Sequence, residues 1–110
     1  IHTLASEYVE LKPEFVLNYG NDNKLHYLKV EVSLRSMGYA ESLDINHHAD
    51  LIRHEIIMEI SKQPVDVINS TEGKQQVQER VLERIRTVLT EETGQPLVDR
   101  VLFINFIVQR

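Results

Sequence analysis

Between Leu28 and Arg35 the chain alternates without a break: Leu28, Val30, Val32 and Leu34 are apolar, and Lys29, Glu31, Ser33 and Arg35 are polar. A period of two puts the two sets on opposite faces of an extended strand, one for packing and one for water. Such a strand suits an antiparallel sheet covered on one side only, which narrows the architectures open to the chain. Upstream, Tyr8 to Leu11 alternate as well, until Pro13 interrupts the ladder by removing a donor. Phe15, Val16, Leu17 and Tyr19 resume the extended pattern. The run Gly20-Asn21-Asp22-Asn23-Lys24 reads as a turn, because Gly and Asn accept positive φ at low cost. The two extended segments are therefore expected to pair as an antiparallel hairpin.

After Gly38 the period changes. Ile45, Ala49, Ile52, Ile56 and Ile60 recur at steps of three and four, the signature of one apolar helical stripe, and Leu51, Ile57 and Met58 widen it. Asp44 is the expected N-cap and Pro64 the stop. Pro64 to Ser70 reads as a connector, with Val65, Val67 and Ile68 tucked against the core. A second helix is expected to start at Ser70 or Thr71, with Glu72 on its N-terminal dipole. Its stripe is Val77, Val81, Ile85 and Val88, broadened by Leu82 and Leu89. Its wet side is Glu79, Arg80, Glu83 and Arg84, and Gly94 followed by Pro96 ends it.

The last segment differs in kind. Leu102, Ile104, Phe106 and Val108 are all apolar, and of the alternate positions Val101, Phe103, Asn105 and Ile107 only Asn105 is polar. A strand apolar on both faces is expected to be central and covered from each side. Leaving Val101, Phe103 and Ile107 in water would forgo about 1.5–3 kcal/mol for each large side chain. That face is expected to be closed either by a second subunit, as a self-association surface, or by the chain's own N-terminal segment. Asn105 is expected to be hydrogen-bonded within the sheet. The fold class is α+β: a small antiparallel sheet with two amphipathic helices packed on it, in a single domain over residues 1–110.

Charge and composition exclude several functions. Hydrophobic residues make up 42% and charged residues 26%, the balance of an ordinary globular domain. The net charge is −5; residues 1–70 hold 6 basic against 11 acidic side chains, and residues 71–110 hold 6 of each. Without a basic cluster to neutralise phosphates, nucleic acid is not an expected partner. The absence of cysteine removes disulfides, thiolate nucleophiles and Cys-based zinc sites. No stretch approaches a transmembrane helix, and the start at Ile1 reads as a fragment trimmed of its targeting segment.

No catalytic constellation survives inspection. His47, His48 and His54 lie in the first helical region, yet helical spacing alone does not supply the three or four convergent ligands of a metal site. Glu55 and Glu59 stand one turn apart on what reads as a solvated face. Glu72-Gly73-Lys74 lacks phosphate-loop spacing, and the Asn21-Asp22-Asn23 cluster is explained by turn chemistry. No serine sits in a nucleophile elbow. A pocket-based, small-molecule-binding domain would need convergent polar groups, and the apolar strand offers only Asn105. The expectation is no enzyme, no cofactor and no metal.

Three stretches together resemble the FliL family. Tyr8-Val9-Glu10-Leu11-Lys12-Pro13-Glu14-Phe15-Val16-Leu17-Asn18 is similar to the family's opening pattern of an aromatic, a leucine, a proline and an apolar pair ending in Asn. Tyr27-Leu28-Lys29-Val30-Glu31-Val32 resembles its Tyr-Leu-Lys-Val strand. Ser70-Thr71-Glu72-Gly73-Lys74 opens a helix as in the family, and Phe103, Phe106, Ile107, Val108 and Gln109 are like its closing strand. Arg53, Ile56 and Ile57 suit its middle helix. His54 and Arg86 depart from the pattern, which has Asp or Asn at the first and Asn at the second.

The resemblance covers residues 8–109 and implies a domain similar to the stomatin and prohibitin (SPFH) core, a module that assembles into rings. It implies a periplasmic location at the flagellar basal body, with the full-length protein anchored in the inner membrane by an N-terminal helix. The implied partners are the basal body, the flagellar stator proteins and further copies of the chain. The implied role is support of the stator units in torque generation and swimming. A stomatin-like membrane scaffold outside the flagellum is the alternative.

Overall fold

The computed structural model describes residues 7–20 and 25–109. The element order is β1 (Glu7–Gly20), β2 (Leu25–Ser36), α1 (Tyr39–His47), α2 (Ala49–Ser61), α3 (Val65–Asn69), α4 (Thr71–Thr93) and β3 (Val98–Gln109). The three strands form one antiparallel sheet in the order β1-β2-β3, with the helices on one face. The molecule is elongated, with extents of 54 × 25 × 23 Å.

The alternation in β2 becomes a buried row. Leu28, Val30 and Leu34 are 0% exposed and Val32 2%. On β1, Val9, Leu11 and Phe15 join them from the same side, and the register shifts between Leu11 and Phe15, where Pro13 sits. A bulge at that position lets a residue without an N–H sit in a strand at no cost to the ladder. The expected hairpin is present; its connecting residues 21–24, and with them the Asn21-Asp22-Asn23 cluster, lie outside the described residues.

The first helical stripe is carried by two helices in place of one. Helix α1 begins five residues before Asp44, with Gly38 at its N-cap, so Asp44 lies within a helix and caps nothing. At His48 the backbone leaves helical values (φ −102°, ψ 19°), and its N–H is shared between the Asp44 and Ile45 carbonyls at 3.1 Å each. The stripe nevertheless runs through the break: Ile45, Ile56 and Ile60 are 0% exposed and Ile52 1%. The connector after Pro64 contains the short helix α3, which seats Ile68 in the core.

Helix α4 follows its sequence signals closely. The Ser70 hydroxyl accepts from Gly73 N–H at 2.9 Å, the side-chain N-cap expected there. Gly94 ends the helix in the left-handed region (φ 86°), a conformation glycine adopts without strain. Val77, Val81, Ile85, Val88 and Leu89 are buried on its inner side.

The expectation for the last strand is corrected. β3 is an edge strand, and the amphipathic β2 is the central one. Among the described residues only one face of the sheet carries helices, so none of them sandwiches β3 from both sides; residues 1–6 of the N-terminal segment, the other cover expected for that face, lie outside the described residues.

Candidate functional site

β3 carries both the apolar excess that the sequence leaves unexplained and a free sheet edge. Its side chains change sides along its length. In register with β2, Val101 faces Leu34 and Phe103 faces Val32, on the helix side; Leu102 faces Ser33 and Ile104 faces Glu31, on the outer side. The register then shifts, and Ile107 faces Lys29 while Val108 faces Leu28. The shift coincides with Asn105, whose φ of 53° lies in the left-handed region that Asn tolerates better than most residues.

The shift separates Val101, Phe103 and Ile107. Val101 is a core residue at 3% exposure, Phe103 is half-buried against the core, and Ile107 is exposed on the opposite face. Alternation alone groups the three, and an extra residue in the strand moves Ile107 across. Phe106 takes the inward place and stacks on Phe103 at 5.6 Å between ring centroids. The signal that could have revealed this was Asn105, the one polar residue in the run. Its Nδ2 donates to the Glu31 carboxylate on the neighbouring strand, so it is satisfied by a side chain within the sheet.

On the outer face, Val16, Lys29 and Ile107 stand in one cross-strand row, with Val16 and Ile107 at 55% and 46% exposure. Ile104 lies one row away at 42% exposure. The Lys29 ammonium reaches Glu14 at 3.8 Å, leaving its aliphatic stem between the two apolar neighbours. Farther along, the Arg35 guanidinium makes a two-point contact with Asp99 at 2.7 and 3.2 Å. That hydrogen-bonded pairing holds the Arg35 guanidinium above its ordinary pKa.

The free edge of β3 faces α4. The Gln78 side-chain oxygen accepts from Phe103 N–H at 2.8 Å, and Arg86 donates to the Val98 carbonyl at 2.5 Å. Along α4 and Pro96 runs a groove of about 620 Å³, and next to it one of about 330 Å³ that Arg100 and Val101 of β3 line together with Gln75 and Gln78. Leu82 and Glu79 line both parts.

The remaining candidates fall into structural roles. Glu55 and Glu59 are not on a solvated face: they are half-buried between helices, with Glu55 bound by Arg84 at 2.7 Å and Glu59 near Lys62 at 3.7 Å. The Glu55 carboxylate raises the Arg84 pKa by accepting its hydrogen bond. His48 Nδ1 lies 2.9 Å from the Asp44 carbonyl at the helix break, and its ring meets that of His47 edge-on at 5.2 Å. Among the described residues no three His, Asp or Glu side chains converge as metal ligands, and no helix is long and apolar enough to cross a membrane. Gly73 is buried in the turn that starts α4, and Lys74 lies over the Phe106 ring at 5.0 Å, so neither shapes a phosphate loop.

Comparison with known proteins adds what geometry leaves open. Residues 8–109 match the family model described as flagellar basal body-associated protein FliL. The chain is 28% identical over 100 residues to the flagellar protein FliL of Aquifex aeolicus (strain VF5), the match covering 91% of this chain. It spans about 60% of that relative's length.

Proposed function

This chain belongs to the FliL family of flagellar basal body-associated proteins, and from that premise we propose that it is a non-enzymatic interaction domain of the flagellar motor. The observation that carries the reading is the family match across residues 8–109, nearly the whole chain. In this reading the domain lies in the periplasm. The full-length protein is held in the inner membrane by an N-terminal helix, and it supports the stator units in torque generation. A sheet with helices on one face and, among the described residues, no cover on the other suits a scaffold that works by contact.

The reading includes assembly into a ring, in the manner of the stomatin and prohibitin core domain. Closed rings need two different complementary patches on each subunit. The outer part of β3 is proposed as one patch, with Ile107 the member of the original trio that is free to make contact and Ile104 beside it. Val101 lies in the core and contributes only through the fold, and Phe103 only at its margin.

Deletion of the parent gene, followed by swimming assays in viscous medium, tests the role. The full-length protein is expected to restore swimming, and the same protein without this domain is expected to fail. If neither the deletion nor the complements change motility, the motor role falls and a stomatin-like membrane scaffold outside the flagellum replaces it.

A further inference from the structure

We propose that a hollow on the outer face of the sheet, floored by Ser33 and walled by Glu10, Glu14 and Glu31, receives the guanidinium group of an arginine presented by a partner protein. Ser33 is 4% exposed, although it lies on the face that carries no helices among the described residues. Among those residues nothing hydrogen-bonds its hydroxyl. A buried hydroxyl is ordinarily paired, and this one lines a space of about 130 Å³, room for one side-chain head group.

Two irregularities of the ladder open this space. Leu11 pairs with Val32 and Phe15 with Val30, so Lys12, Pro13 and Glu14 all stand opposite Glu31. On the other side of Glu31, β3 shifts register just after Ile104. Both neighbouring strands thus carry surplus backbone beside Glu31, while Glu10 and Leu102 stay in register with Ser33. Lys12 rims the hollow and does not fill it, its side chain being 77% exposed.

Charge and geometry select the occupant. The three carboxylates meet two ammonium groups: Lys12 lies 3.5 Å from Glu10 and Lys29 3.8 Å from Glu14, both at the exposed surface. Glu31 is bound by the neutral Asn105, which leaves its charge in place. One negative charge remains, and one cation balances it. The next cations along the face are engaged elsewhere: Arg35 is held by Asp99, and Arg100 lines the separate space beside Glu79. A metal ion needs several oxygens converging at about 2.0–2.6 Å, and no three carboxylates among the described residues converge. A guanidinium has five N–H donors in a plane and no acceptor, so it reaches the Ser33 hydroxyl and carboxylates that stand apart. The surroundings suit a protein better than a free amine. Ile104 borders the hollow, and Val16 and Ile107 are exposed one row on, giving the rest of a partner apolar surface around its arginine anchor. The hollow does not depend on the motor role, so either can fail without the other.

The test titrates the chain with N-acetyl-arginine methylamide and follows it by NMR. Saturable shifts are expected at the Ser33 amide and at the Asn105 side-chain amide, which shares Glu31. The citrulline counterpart, similar in shape but uncharged, is expected to bind at least about tenfold more weakly. Glu31→Gln keeps an acceptor for Asn105 and is expected to weaken binding about tenfold. Ser33→Ala is expected to weaken it about three- to tenfold while leaving the urea midpoint unchanged, because no internal hydrogen bond is lost. A lowered midpoint with unchanged binding would make the hydroxyl merely structural and overturn the site. Absence of saturable shifts, equal binding of the citrulline compound, or shifts confined to the glutamates of α4 would overturn it too. Calcium chloride reproducing the same shifts would put a metal ion in place of the guanidinium. Shifts at Ser33 that grow with chain concentration, without the probe, would make a second copy the source and overturn the choice of a foreign partner.

Discussion

A side chain at Gly73 has nowhere to go. A Cβ built there would collide with the Val67 carbonyl oxygen and come within 2.6 Å of the Ser70 hydroxyl. Replacing a helical glycine by alanine ordinarily stabilises a helix, by about 1 kcal/mol. At this position the backbone of the preceding turn has to move, and the sign reverses. Gly73→Ala is expected to lower stability by about 2 kcal/mol in urea denaturation. Ser70→Ala, which removes the hydroxyl that accepts from Gly73 N–H, is expected to cost about 1 kcal/mol in the same measurement. The string Glu72-Gly73-Lys74, which from sequence could be mistaken for part of a phosphate loop, is thus explained by the tight entry to α4. Asn105 shows the opposite case: a residue noticed only for its polarity proves to hold the left-handed backbone that redirects the end of β3.

Among the elements, α2 and β1 share the apolar core, and one polar side chain also ties them. Arg53 donates to the Pro13 carbonyl at 2.6 Å, and its guanidinium carbon lies 4.0 Å above the Phe15 ring. The register shift at Pro13 frees that carbonyl from the ladder, and the helix meets it with a cation. Arg53→Ala is expected to lower stability by about 1–2 kcal/mol and to speed amide hydrogen exchange from Val9 to Leu17. Arg53→Lys keeps the charge but not the planar fork, and is expected to recover only part of the loss. The helices themselves were readable at this scale because apolar periodicity records burial. The break at His48 was not, since the stripe of Ile45, Ile52, Ile56 and Ile60 passes through it unchanged. The helix start at Tyr39 was hidden too, because no side-chain cap marks Gly38.

For the whole molecule, the sheet's helix-covered face holds the core and its other face carries the surface proposed for assembly. Ile56 is fully enclosed on the helix side, and Ile56→Ala is expected to cost about 2–5 kcal/mol, for lost burial and the cavity left behind. Ile107 is exposed on the outer side, and Ile107→Glu is expected to change stability by no more than about 0.5 kcal/mol while, if the proposed assembly holds, reducing cross-linked oligomers of the full-length protein. Oligomers that persist undiminished in folded Ile107→Glu protein would remove the outer part of β3 from the assembly surface. Phe103 is a poor probe for the same purpose. Half-buried against the core, it would report folding and association together.

What the sequence by itself determined was the hairpin, the long helix α4, and the side that β2 and the helical stripes bury. Leu28, Val30, Val32 and Leu34 on one side of β2, the isoleucine stripe of α1 and α2, and the valine stripe of α4 all lie where their periods put them, because periodicity is local and survives any arrangement of neighbours. The family resemblance was legible for a related reason, being carried by short ordered motifs along the chain. Only the tertiary structure decided which strand is central, which face Ile107 occupies, and that α4 reaches over the edge of β3. Strand order depends on which segments pair, and a single left-handed residue exchanges the two faces of everything after it. Neither is written in the hydrophobicity of the residues concerned.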